Sequence, residues 1–310
     1  MTLAACGLPA GPVKATLTAT PGAPITYTIT PSAGPTLSGT LPASTASPTQ
    51  AIVLICGTPQ APTAGQTGKA IYLTFDDGPD ALYTPQIVLA LQSHRDLNGN
   101  SAPAHATFFV IGKDMDENGN ITTDRILPNK NVLQMIKNNG NAIGIHGLVH
   151  GAGSDGWHNS YFWNHPLFQA SSIDEEVSML NGTGVAPDHL MRAPGGAFRP
   201  QPFPGYTDWY YYGWDIDSGD GGSGTNGLSA EGITKNVLDG LTNLPDKPII
   251  LLHSTNPYTA EAIINGSLLA GLERLGYTQF LSLPRPCDLP GYPPIGRVQT
   301  TSCMVEGGCQ

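Results

Sequence analysis

The stretch Ala70-Ile71-Tyr72-Leu73-Thr74-Phe75-Asp76-Asp77-Gly78-Pro79 runs from apolar and β-branched residues straight into two carboxylates and a Gly-Pro turn. An apolar run bounded by turn residues is the pattern of a strand buried on both faces, as in a parallel sheet. The two acids then fall at its C-terminal end. Outward from this run the rhythm repeats: strand-like segments at 71–75, 106–111, 142–145, 189–192, 211–216, 248–252 and 278–281 alternate with helical periodicity at 84–93, 131–139, 172–180, 229–241 and 259–275. Such alternation predicts parallel strands crossed by helices. Seven of them predict an α/β fold, a distorted or incomplete (β/α) barrel rather than an open sheet, and a barrel carries its chemistry at the C-terminal strand ends.

Polar residues occupy those ends. Asp76 and Asp77 follow Phe75, His146 and His150 follow Ile145, Arg192 closes the fourth run, Asp217 and Asp220 follow Ile216, and His253 follows Leu252. Singly, each has an ordinary explanation as a turn, a surface charge or a core histidine. Together they converge on one mouth. Neighbouring Asp76 and Asp77 on an extended strand point in opposite directions, which predicts two separate roles, one on a metal and one facing the substrate as a base. His146 and His150 have the spacing that puts two imidazoles on one face of a helical turn and so on one cation. With Asp77 they form a donor set of two nitrogens and an oxygen, which leaves a position open as in catalytic rather than structural zinc sites. Arg192 beside Asp76 would aim that carboxylate, and Asp217 or Asp220 could orient His253 and favour its charged form, as a general acid needs.

Composition bounds the rest. The formal charge of −10 arises from 24 acidic and 14 basic residues with no Lys/Arg cluster, so nucleic acid is not an expected partner. Residues 1–57 read as a small β module with strands at 15–20, 25–30 and 51–55, residues 58–69 as a Pro/Gly/Thr linker, 70–284 as the catalytic domain and 285–310 as a Cys-containing tail. Cys6, Cys56, Cys287, Cys303 and Cys309 lie only near the ends, which suits disulfides in an oxidising compartment. No stretch is apolar enough for a membrane span. Leu3-Ala4-Ala5-Cys6 is similar to the end of a lipoprotein signal but lacks the preceding apolar region, so the start reads as that of a mature, secreted or periplasmic chain rather than a lipid-anchored one. A monomer is expected.

These residues resemble the NodB-type polysaccharide deacetylases, carbohydrate esterase family four. Thr74-Phe75-Asp76-Asp77-Gly78-Pro79 looks like the first family motif in full. Ala106 through Gly112 is similar to the second strand, His146-Gly147-Leu148-Val149-His150 to the histidine motif, Arg192-Ala193-Pro194-Gly195-Gly196 to the third motif, Trp214 through Asp220 to the fourth and Leu251-Leu252-His253 to the fifth. The resemblance implies that Asp77, His146 and His150 bind zinc, or another divalent transition metal. It implies Asp76 as base, His253 as acid, Arg192 oriented on Asp76, Asp220 oriented on His253, and the Gly195 N–H as an oxyanion donor. The implied substrate is an acetylated carbohydrate of chitin or peptidoglycan type. An O-acetyl esterase would use the same residues, and a non-catalytic carbohydrate-binding protein would have lost some of them. Three positions depart from the family: Gly147, Gly195 and Gly221 stand where a small hydroxyl residue, an aromatic and a Trp are usual. Trp157, Trp163 or Trp209 are candidates to replace the missing aromatic walls.

Asp114-Met115-Asp116-Glu117-Asn118-Gly119-Asn120-Ile121 matches the start of a calcium-binding EF-hand loop, but Arg125 stands where a bidentate Glu is required. A polar turn is the better reading of Asp114, Asp116 and Asn118, and likewise of Asp96 through Asn100. His94, His105, His158, His165 and His189 receive no role.

Overall fold

A computed structural model describes strands at Lys14–Thr18, Ile25–Thr30 and Leu37–Leu41, and then residues 68–116, 120–150, 170–196, 209–221, 229–241, 244 and 247–284. The chain divides into two compact units, Met1–Val53 and Leu54–Gln310. In the first, β1 (Lys14–Thr18), β2 (Ile25–Thr30) and β3 (Leu37–Leu41) form an antiparallel sheet in that order. The expected strand at 51–55 lies outside the described residues. β3 was not foreseen, because Leu37-Ser38-Gly39-Thr40-Leu41 carries a Gly and a single β-branched residue.

The second unit is built on β4 (Lys69–Gly78), β5 (Thr107–Val110), β8 (Ala142–Ile145), β9 (Leu190–Met191), β10 (Tyr210–Tyr211), β11 (Ile216–Asp217), β12 (Ile249–His253) and β13 (Tyr277–Leu281). Every pairing among them is parallel, in the order β10-β9-β8-β5-β4-β12-β11, with β13 on the first part of β4. Among the described residues the path does not close. It is a curled half-barrel, as the alternation predicted. The connecting helices are α1 (Tyr83–Gln92), α2 (Lys130–Asn138), α3 (Ala170–Gly182), α4 (Ala230–Gly240), α5 (Pro257–Ile264) and α6 (Ser267–Arg274). β6 (Lys113–Met115) and β7 (Ile121–Asp124) make a separate antiparallel hairpin.

Two expected elements divide. The run at 211–216 becomes β10 and β11, and between them the carbonyls of Tyr212 and Gly213 turn aside to accept hydrogen bonds from Arg192 at 3.1 and 2.7 Å. The helix at 259–275 breaks at Gly266, whose φ of 73° a side chain would resist. The true start of its first half is marked by Asn256, whose side chain accepts from the Tyr258 and Thr259 amides, and by Pro257 in the first turn.

Tyr72, Phe109, Leu190, Tyr210, Tyr212, Trp214, Ile249 and Leu251 pack as one buried cluster along the sheet. Each large apolar side chain so buried contributes about 1.5–3 kcal/mol. Packing is close: a Cβ on Gly144 in β8 would lie 2.5 Å from the Phe109 ring and 2.8 Å from the Leu190 carbonyl oxygen. These contacts fix the strand ends that carry the polar residues.

Candidate active site

Asp76 and Asp77 end β4, and the register of β12 sets His253 opposite Asp76. The expectation that the two carboxylates face opposite ways is corrected here: His146 Nε2 lies 3.6 Å from Asp76 Oδ2 and 3.5 Å from Asp77 Oδ1. Strand alternation fails because Asp77 adopts a left-handed φ of 66°, which swings its side chain back into the same mouth.

The histidine pair also arrives by a route that spacing did not foretell. Residues 146–150 form an irregular loop rather than a helical turn, with Val149 bridged to Lys113 and Gly147 at φ 102°. The rings still meet, 5.5 Å apart. His146 is buried, and its Nδ1 lies 2.8 Å from the Arg192 carbonyl oxygen. A carbonyl only accepts, so Nδ1 carries the proton and Nε2 presents its lone pair to the carboxylates.

Arg192 is buried and makes four hydrogen bonds. Its Nη1 donates to Asp76 Oδ1 at 2.8 Å and to Thr74 Oγ1 at 2.7 Å, while its other donors reach Tyr212 and Gly213. The guanidinium carbon lies 4.4 Å from the Phe109 ring centre, a cation–π contact. Burial pulls Arg192 below its ordinary pKa, and Asp76 opposes that shift.

On the other side, Asp220 is buried and accepts from His253 Nδ1 at 2.7 Å, the His253 amide at 2.8 Å, Ser218 Oγ at 2.8 Å and Thr259 Oγ1. Burial raises the Asp220 pKa, but His253, Thr259 and Ser218 together hold it below the usual carboxylate value. Burial pulls His253 down, yet Asp220, with Asp77 and Asp76 behind it, pushes it up to about 9. His253 Nε2 then lies 3.9 Å from Asp77 Oδ2.

Asp77 links the two halves. Burial raises its pKa, but His150, His146 and His253 bring it below its ordinary value. Its Oδ1 is buried without a hydrogen-bond partner and lies 3.5 Å from His146 and 4.0 Å from His150. Ligand atoms of Asp77, His146 and His150 lie within 4.8 Å of one another. An orphaned buried oxygen facing two imidazoles is what a divalent cation satisfies, and the mixed nitrogen and oxygen donors suit a transition metal. The residues fit the ion.

Gly195, the expected oxyanion donor, lies at φ 61° in the short turn Pro194–Gly196 that follows Arg192. Trp209, one of the three candidates for an aromatic wall, does not line the mouth. It is buried and stacked on His189 at 4.8 Å, where both residues precede the N-terminal ends of β9 and β10. Trp157, Trp163, His158, His165 and all five cysteines lie outside the described residues. Of the segment at 114–121, Asp114 and Met115 lie on β6 and Ile121 on β7, Asp116 accepts from the Asn120 amide at 2.8 Å, and Asp114 lies 3.5 Å from Arg125; residues 117–119, Asn118 among them, lie outside the described residues. Asp96 closes a second polar turn by accepting from the Asn98 and Asn100 amides.

Sequence reasoning missed Thr74, Ser218, Thr259 and Glu176. Thr74 was readable: it stands two residues before Asp76 and so shares its strand face. Ser218 and Thr259 carried no signal beyond being hydroxyls near Asp220 and His253. Glu176, on α3, is buried with neither oxygen hydrogen-bonded, and burial raises its pKa well above the ordinary value. The amides of His146 and Gly147 face it and only moderate that shift.

A parallel half-barrel thus carries a His-His-Asp triad, a buried Asp–Arg pair and an Asp–His pair at its C-terminal mouth, the groups that metal-assisted hydrolysis requires. In sequence, residues 63–204 match the family model described as polysaccharide deacetylase. A peptidoglycan-N-acetylglucosamine deacetylase of Listeria monocytogenes is 27% identical over 227 residues, 71% of this chain and 39% of the relative. One from Bacillus cereus is 30% identical over 195 residues, 62% of this chain and 58% of the relative. This chain thus spans only part of either relative's length. The crystal structure of the polysaccharide deacetylase Bc1974 from Bacillus cereus superposes with a TM-score of 0.51 at 25% identity, covering 70% of this chain and 92% of that one. Among the described residues no helix is long and apolar enough to cross a membrane.

Proposed function

We propose that this chain is a zinc-dependent deacetylase of glycans containing N-acetylglucosamine, acting at the cell envelope or outside the cell. In this reading residues 70–284 form the catalytic domain and 1–57 an accessory module. The observation that carries it is the position of Asp77, with one carboxylate oxygen facing His146 and His150 and the other facing His253.

Asp77, His146 and His150 would hold the zinc, which when bound supplies a Lewis acid that polarises an acyl carbonyl and acidifies water. Asp76, fixed through Oδ1 by Arg192, takes the proton of the attacking water on Oδ2. The Gly195 N–H is assigned to the oxyanion of the tetrahedral intermediate. His253, protonated and held through Nδ1 by Asp220, gives its Nε2 proton to the departing amine nitrogen. The C–N bond breaks, leaving acetate and a free amine.

The test is acetate release from chitin oligomers, peptidoglycan glycans and acetylated xylan, with and without added zinc. Zinc-dependent release from the N-acetylated glycans is expected. Release from acetylated xylan alone would make the protein an O-acetyl esterase. Release from none of the three would overturn the enzyme reading.

A further inference from the structure

The Asp220 carboxylate is saturated. Oδ1 takes the His253 Nδ1 proton at 2.7 Å and the Ser218 hydroxyl at 2.8 Å, while Oδ2 takes the His253 amide at 2.8 Å and the Thr259 hydroxyl. Four donors occupy the lone-pair positions that a carboxylate offers. The first turn of α5 supplies more than one of the ties around it. Asn256 accepts from the Tyr258 and Thr259 amides at 2.8 and 3.2 Å, which caps the helix, and its Nδ2 donates to the Asp220 carbonyl at 2.8 Å. Thr259 has no exposed surface and Asn256 is buried. Its single hydroxyl proton is committed to Asp220, and its β-branched side chain has little χ1 freedom to release it.

We propose that Thr259, seated by Asn256 on the first turn of α5, is a positioning residue for the acid: it locks the plane of the Asp220 carboxylate, and through it the direction of His253 Nε2. Without the hydroxyl, Oδ2 keeps only a backbone donor and the carboxylate can twist about its last torsion. His253 would then follow, and its proton would leave the line to the departing nitrogen. This rests on the deacetylase reading above and adds an element that the Asp–His pair alone does not contain.

Thr259→Val removes the hydroxyl at nearly constant shape, and Thr259→Ser keeps it. With zinc-loaded full-length proteins, kcat and KM are measured for acetate release from an N-acetylglucosamine oligomer and for hydrolysis of an aryl acetate, alongside bound zinc and Tm. Thr259→Val is expected to lose about tenfold to a hundredfold in kcat on the amide, the scale of a hydrogen bond to a charged group in acid catalysis. KM and bound zinc should hold. The aryl acetate should lose less, because a phenolate leaves without a proton, and Thr259→Ser should recover most of the amide rate. Thr259→Ala serves the same comparison if the valine variant does not fold. Wild-type amide rates in Thr259→Val, equal losses on both substrates, or valine and serine variants falling together would each overturn the clamp. A wild-type protein that releases no acetate overturns the underlying reading instead, and the clamp with it.

Discussion

His253 stands directly opposite Asp76 in the parallel pairing of β12 with β4, so the proposed acid and base occupy one rung of the sheet. Their separation is therefore set by strand spacing rather than by loops, and each is oriented from its far side: Asp76 by Arg192, His253 by Asp220. Rigid elements hold catalytic groups more closely than loops do.

Asp76→Asn keeps the shape of the side chain and removes the proposed base. Bound metal should persist, because Asp76 is outside the triad, while acetate release falls about 100-fold or more. Metal analysis and turnover on the same preparation check this, and near-normal turnover would move the base elsewhere.

The pH dependence follows from His253, raised from 6.5 to about 9. A group with a raised folded-state pKa stabilises the fold fully below its unfolded value, here 6.5, and loses that contribution as pH climbs through about 9. The acid form likewise persists to that pH. Asp220→Asn removes the countercharge, so the alkaline limb of kcat should move to lower pH, and the loss in Tm should be largest below about 6.5 and shrink as pH climbs towards about 9. Rate and melting profiles across pH decide it. An unmoved limb would leave His253 as a strand-end core histidine.

Gly221 predicts a steric effect. A Cβ there would lie 2.3 Å from His253 Cε1 and 2.8 Å from Nε2, and the ring cannot retreat without breaking its bond to Asp220. Gly221→Ala should therefore cut amide hydrolysis almost as far as His253→Ala does, with metal content unchanged. An alanine variant at full rate would mean the ring has another seat.

Much of this site was legible before the fold. β8 occupies the expected 142–145, and polar residues follow the apolar runs in the order a barrel mouth requires. What sequence periodicity could not carry was backbone departure from regular structure. The left-handed φ of Asp77 undid the alternation that should have parted it from Asp76, and Gly147 let His146 and His150 converge across a loop. The Tyr212 and Gly213 carbonyls were diverted to Arg192, which split a strand that composition alone reads as continuous. Trp209 failed as a groove wall because its ring is buried against His189, a partner set by tertiary packing.

The most direct measurement is acetate release from an N-acetylglucosamine oligomer as a function of zinc bound per chain, after chelation and stepwise reloading. Activity should rise in proportion to occupancy of a single site, and Asp77→Ala, His146→Ala and His150→Ala should lose bound metal and activity together. Full acetate release from the stripped protein, or zinc held stoichiometrically by all three variants, would contradict the assignment of Asp77, His146 and His150 as the metal centre.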